Sequence, residues 1–317
     1  MAADTISSLL ALYRSFLLSP SMLWVFGFAT AFIVVAALMG MRARVLSPAA
    51  IRNSLASLAV LAFNILMAPV VYVLADLVAR GYGQLGIPSI PPSAWQGVPW
   101  LVVAVVGIVA KDFADYWCHR ALHTPLGWPI HAVHHSDSHV NGFTAFRVHL
   151  LEVVTMKLFY IVLLSWIGIP TQLIVAAYVV ASLHTAYVHL ELDIDHGPLN
   201  WLIASPRFHR WHHADAPEAY GKNLANMIPL FDLMFGTYYR HDACAEPMGA
   251  LRDGIPDTDP VRLVLLPFVL WARQVRAAAA DVDVGIVPPA AAPEPARRPA
   301  RNIGEERSEA HTSELQS

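Results

Sequence analysis

Thirteen of the fifteen histidines fall between His119 and His213, and their spacing is patterned. His119 and His123 stand four apart in His119-Arg120-Ala121-Leu122-His123. His131, His134 and His135 follow as H-x-x-H-H, and His209, His212 and His213 repeat that spacing. Residues three and four apart share one face of an α-helix, so each cluster can aim two or three imidazoles at one point. Three such points converging offer more nitrogen donors than one four-coordinate ion takes. Two metals held together are therefore expected. Imidazole suits zinc, copper, iron and nickel alike. Neutral ligands leave the ionic charge uncompensated, and a pair of redox ions beside an apolar interior suits O2 activation against an unactivated alkyl C–H bond. Carboxylates can orient such rings through their outer nitrogens. Asp115 lies four residues before His119, and Asp137 and Asp215 each lie two beyond a paired histidine. His139, His149, His196 and His241 read as structural, and Cys118 as a small packing residue.

The elements that must position these rings follow from composition. Of 317 residues, 56% are hydrophobic and 14% charged, against about 25% charged in soluble domains. With a mean hydropathy of +0.47, a simple soluble enzyme is excluded, as is disorder over most of the chain. A net charge of −3 leaves no basic footprint for nucleic acid. Two cysteines, Cys118 and Cys244, make neither a disulfide framework nor a zinc ribbon. An integral membrane protein remains.

Residues 22–40 are apolar enough to span a bilayer and run into Arg42 and Arg44, as a retained span rather than a cleaved signal. A second uncharged run covers 53–75, and a third begins near 98 and ends at 111–115. Between them, residues 81–97 are rich in Pro and Gly and read as an external loop. The apolar stretch 150–187 is too long for one crossing and fits two short helices that turn at Gly168-Ile169-Pro170. Such a hairpin returns the histidines before and after it to one side of the membrane. Arg42, Arg44 and Arg52 in the first loop, against Arg80 alone in the second, make the first loop and both histidine segments cytoplasmic. The count is five crossings with the N-terminus outside. The ten-residue run 263–272 is too short to cross and is expected in the interface. From Ala277 onward the chain reads as a disordered tail, and residues 307–317 resemble the translation of a sequencing-adapter oligonucleotide. The expected fold is all-α: an integral membrane bundle of four to five transmembrane helices with a cytoplasmic cap of short helices carrying the histidine boxes. Residues 1–95 form the N-terminal transmembrane region, 96–245 the catalytic domain, 246–276 an interfacial segment and 277–317 the tail.

With these boxes in place, residues 108–240 resemble the fatty acid hydroxylase and sterol desaturase superfamily of membrane di-iron oxygenases. That family is marked by H-x-x-x-H and two H-x-x-H-H boxes, matched here by His119/His123, His131/His134/His135 and His209/His212/His213. Asn223 and the run from Asp232 through Gly236 to Tyr239 also look like family members. The resemblance implies two iron ions, replaceable by zinc in purified protein, on these eight histidines plus one more ahead of Gly197-Pro198-Leu199. His189 is the best match for that ligand and His184 its competitor. Glu191 stands where many bacterial relatives carry Asn, and joins Asp115, Asp137 and Asp215 as a candidate to support the ligands. The implied activity is O2-dependent hydroxylation of a lipid alkyl C–H, with desaturation as the alternative, in a bacterial inner membrane. Electrons come from a separate donor protein: the glycine run Gly81-Tyr82-Gly83-Gln84-Leu85-Gly86 lies in the expected external loop and is no dinucleotide fingerprint, and the chain holds no C-x-x-C-H haem motif. A histidine-rich metal transporter is the rival from another class; it needs ligand residues within its spans, and the first two spans carry none.

Overall fold

The computed structural model describes residues 46–240, 242–250 and 258–280 continuously, with positions 254 and 255 and a few isolated positions before residue 36. Most of the first expected span, and everything beyond residue 280, therefore lie outside the described residues. No strand forms among the described residues; the chain is all-helical, with one isolated bridge between Ala214 and Met248.

Helix α1 (Pro48–Gln84) starts at Ser47, whose hydroxyl accepts the Ala50 amide at 3.1 Å, with Pro48 in the first turn. It contains the second expected span; Pro48–Val71 is long and apolar enough to cross a membrane. Helix α2 (Trp100–Leu122) runs on through 111–115, where the third span was expected to end. Lys111 Nζ meets Asp115 Oδ2 at 2.6 Å one turn along, and the Tyr160 hydroxyl donates to the same carboxylate. The charges neutralise each other inside the bundle instead of marking its edge.

The helical hairpin forms as the sequence indicates. Helix α4 (Leu150–Leu164) and a 3-10 turn (Ser165–Ile167) lead through Gly168 into helix α5 (Thr171–Val188). Among the described residues, Leu150–Ile167 is the other stretch long and apolar enough to cross, and Ala176–Val188 is a shorter apolar helix. Gly168 has φ +66°, and a side chain there would run into the Ile90 carbonyl. The Ile90 amide donates to Trp166 O at 2.7 Å, and Trp95 Nε1 to Ile167 O at 3.0 Å. These bonds bind the α1–α2 loop to the hairpin turn, at one end of a bundle in which α2 packs on α4 and α5, and α1 on α4. The histidine-bearing ends of α2 and α5 gather at the other. Leu55, Leu66, Val70, Val73 and Leu77 of α1, and Trp100, Leu101 and Val105 of α2, are exposed. So broad an apolar surface is what lipid covers.

Short helices α3 (Trp128–His135), α6 (Pro206–His213) and α7 (Leu230–Phe235) close the histidine end. Helix α8 (Pro260–Ala280) is twice the length of the apolar run that announces it, and the expected tail boundary at 277 falls in its last turn. Leu263, Leu266 and Leu270 are buried with Trp128, Ala132 and Val133 of α3 and Ala56 and Val60 of α1, each leucine contributing about 1.5–3 kcal/mol. Trp271 Nε1 and Gln274 Nε2 donate to the carbonyls of Leu126 and Pro125, both at 3.0 Å. The opposite face exposes Val261, Leu265, Phe268 and Val269, as an interfacial helix does.

Candidate metal centre

Helix α2 ends at the first box, and the turn that follows brings the second box back against it. Thr124 Oγ1 accepts the Gly127 amide at 3.3 Å, and a Cβ at Gly127 would collide with the backbone of Ala121 and Leu122. At the third box, the Ser205 hydroxyl caps α6 by accepting the Phe208 amide at 3.2 Å. Nine histidines then form two groups: His119, His123, His131, His135 and His212, and His134, His189, His209 and His213. Within each group the donor atoms lie within 4.8 Å of one another. All nine histidines expected to bind metal are thus brought together. Each pair at four-residue spacing stays in one group, while the odd member, His134 or His212, crosses to the other.

The hydrogen bonds identify which nitrogens are free to bind. His119 Nδ1 donates to Leu224 O at 2.6 Å, His189 Nδ1 to Thr185 O at 2.6 Å, and His212 Nδ1 to Lys222 O at 2.9 Å. A carbonyl only accepts, so in these neutral rings the proton sits on Nδ1 and Nε2 is a bare lone pair. His131 Nδ1 donates in the same way to Glu152 Oε1 at 3.0 Å. The bare His119 and His131 Nε2 atoms then face each other at 2.9 Å. His189 Nε2 faces Nε2 of His134, His209 and His213 at 3.1, 3.0 and 3.2 Å. Lone pairs so directed repel unless a cation lies between them, and two nitrogens sharing an ion at 2.0–2.1 Å sit about 3.0–3.4 Å apart. His123 adds two buried ring nitrogens without a protein partner. The donor set fits metal ions. Burial holds His131, His134, His135, His209, His212 and His213 well below the usual imidazole pKa and lowers His189 to about 4. The rings therefore stay neutral, as ligands must be. Among the described residues no carboxylate or thiol joins either group.

Glu152 is the carboxylate that reaches a ring, and the sequence reading missed it. Its signal was present: a lone acid two residues into an apolar stretch is costly in lipid and marks a function. Of the acids singled out from spacing, Asp115 pairs with Lys111 and Tyr160. Asp137 accepts Thr144 Oγ1 at 2.7 Å and the His139 amide at 2.9 Å, shaping the chain after the second box. Asp215 accepts the Tyr220 hydroxyl at 2.6 Å. Glu191 lies two residues past His189 and belongs to neither group. His184 also stands outside both groups.

Other histidines have structural partners. His149 caps α4 and its Nε2 donates to Val264 O at 3.0 Å, and His196 bonds Tyr187 and Ile203 O. His139 meets Ser138 and Asn53, whereas His241 lies outside the described residues. Arg147, fully buried, bonds Ser57, Ser136 and Asn53 and so ties α1 to the end of α3.

The residues after the third box acquire a physical role. Asn223 is held at φ +55°. It donates to Phe208 O and Tyr239 O at 2.9 and 3.0 Å and accepts the Tyr239 amide at 2.7 Å. Asp232 accepts the amides of Leu224 and Ala225 and the Thr237 hydroxyl. Together they fix the segment whose Lys222 and Leu224 carbonyls hold His212 and His119. A cavity of about 20 Å³, lined by His123, Trp128, His135, His212, Asp215 and Tyr220 among others, adjoins the first group. It has room for about one water.

A helical fold with two adjoining all-imidazole groups defines a candidate metalloprotein. The fatty acid hydroxylase family model matches residues 104–237, the stretch that holds all three boxes. Alkylglycerol monooxygenase of Danio rerio is 34% identical over 147 residues, covering 46% of this chain and 31% of that protein. Alkylglycerol monooxygenase of Homo sapiens is 30% identical over 160 residues, 50% of this chain and 34% of the relative. Ornithine lipid hydroxylase OlsE of Rhizobium tropici is 29% identical over 153 residues, 47% of this chain and 44% of the relative. The match thus spans about a third to less than half of these relatives' length. No solved structure matches the chain significantly.

Proposed function

We propose that the protein is a membrane di-iron oxygenase that hydroxylates an alkyl C–H of an amphiphilic lipid, using O2 and electrons from a separate donor protein. The observation that carries this reading is the meeting of nine imidazoles, four of them with Nε2 left bare by a bond from Nδ1, at the end of an apolar bundle. His119, His123, His131, His135 and His212 hold one ion; His134, His189, His209 and His213 hold the other. Iron supplies the O2 chemistry that no side chain offers. The chain's own residues do the rest. Glu152 and the carbonyls of Leu224, Lys222 and Thr185 fix the ring tautomers, and the packed cap limits water beside the site.

Lipid reaches the site laterally through the bundle, with the boxes on the cytoplasmic side that Arg42, Arg44 and Arg52 mark. Four to five crossings, a catalytic region over 96–245, an interfacial segment after it and a bacterial inner membrane complete the reading. Hydroxylation is favoured over desaturation because the matched relatives carry the names monooxygenase and hydroxylase. Transport is disfavoured because the ligands gather at one end of the bundle rather than along it.

The test pairs His134→Ala with His212→Ala, one ligand from each group. Lipid mass spectrometry of cells expressing each variant should show loss of the product one oxygen heavier than its precursor, and the purified variants should carry less metal. Full hydroxylation with normal metal content in either variant refutes the reading.

A further inference from the structure

Ala176, Val180 and His184 follow one another at four-residue steps along α5 and share a face. Ala176 and Val180 are exposed there, so this is an outward, apolar stripe that ends in an imidazole. Both His184 ring nitrogens are buried, and neither has a hydrogen-bond partner. Backbone of Ala204 and Asn226 approaches the ring closely enough to act on it, but at no normal hydrogen-bond geometry to either nitrogen. These neighbours belong to two segments joined by the Ala204 amide, which donates to Met227 O at 2.8 Å. The segments carry an exposed apolar rim: Trp201 (46%) and Leu202 on one, Leu233 and Met234 (61%) on the other. The second metal group is one turn further along the helix, where Thr185, next to His184, holds His189 through its carbonyl.

A buried polar group left unpaired is destabilising and calls for an occupant. A metal ion is not the obvious one, because His184 belongs to neither histidine group. A neutral imidazole presents one donor and one acceptor, which suits a hydroxyl or carbonyl rather than a charged headgroup. The apolar stripe and rim suit the chain attached to it. Resting on the lipid-oxygenase reading, we propose that His184 receives the hydroxyl or carbonyl of the lipid substrate as it enters along this face. It is a substrate-positioning residue, deciding which carbon of the chain arrives at the metals.

The first test needs no turnover. In a Cys118→Ala, Cys244→Ala background, His184→Cys in phosphatidylcholine vesicles is exposed to N-hexadecylmaleimide, which carries its reactive polar group on an alkyl chain. Mass spectrometry should find the adduct with this reagent and not with a membrane-impermeant sulfonated maleimide. The second test uses His184→Gln and His184→Phe in the otherwise unaltered protein. Metal content should match the unsubstituted protein in both. KM for the lipid that the unsubstituted protein hydroxylates should rise in His184→Phe by about 2–10-fold, the worth of one hydrogen bond, with His184→Gln recovering part of the loss. Absence of the lipid-borne adduct, or loss of metal in His184→Gln, overturns the proposal. The labelling is read independently of hydroxylation, so its failure is distinct from failure of the oxygenase reading, which His134→Ala and His212→Ala report.

Discussion

The group around His131 takes five rings from all three boxes, whereas the group around His189 takes four, from two boxes and the end of α5. Their outer contacts differ more than their inner ones. In the first group His119, His131 and His212 are each held through Nδ1, two by backbone carbonyls and one by Glu152. In the second only His189 has such a contact, while Nδ1 of His134, His209 and His213 is buried without a partner. A carboxylate behind an imidazole raises its basicity. The first group is therefore the stronger donor set and the one oriented by hydrogen bonds. The second relies on helix packing and on His189 at its centre. Two ions held this way would be chemically unequal.

The comparison breaks most completely at His189. His189→Ala removes the ring that faces three others. The second ion should be lost and the first retained, with hydroxylation falling by more than the about 10–100-fold typical of losing an outer partner. Elemental analysis against protein concentration checks the stoichiometry. Glu152→Gln should act on the other group, weakening its metal affinity by about 10–100-fold and leaving the second ion in place under competing chelator. Asn223→Ala leaves two carbonyls and an amide without their side-chain partner, and each unsatisfied buried group costs about 1–3 kcal/mol. It should lower thermal stability and loosen the first group, because Asn223 stands between Lys222 and Leu224, whose carbonyls hold His212 and His119.

Acid should separate the groups least. The buried rings have folded pKa values below their ordinary one, about 4 for His189, against about 6.5 in an unfolded chain. Between those values the unfolded chain binds more protons. Stability of the metal-stripped protein should be full above about pH 6.5 and fall as pH drops toward about 4, by thermal melts across that range. A flat profile would mean that the rings are not buried neutral.

Much of this was legible along the chain. The boxes name eight of the nine grouped histidines, and the Gly168 turn foretells a hairpin that returns both sets to one end. The charges at Lys111 and Asp115 end the uncharged run but not the helix, because a buried pair and an exposed edge look alike until the Tyr160 side of the contact is seen. Glu152 was passed over in a stretch read for its apolarity. The apolar run 263–272 announces a helix but not that its inner leucines brace the second box.

Spacing by itself determined which imidazoles travel together, because the 3.6-residue period of a helix is a local property of the backbone. Composition determined that the surroundings are apolar. How the nine rings divide, with His134 and His212 crossing over, was decided only when α3 and α6 met, since that depends on two helices far apart in the chain facing each other. The proton positions were likewise tertiary. For His119 and His212 they rest on carbonyls of Leu224 and Lys222, and a backbone oxygen carries no mark in the residue order to say which ring will reach it.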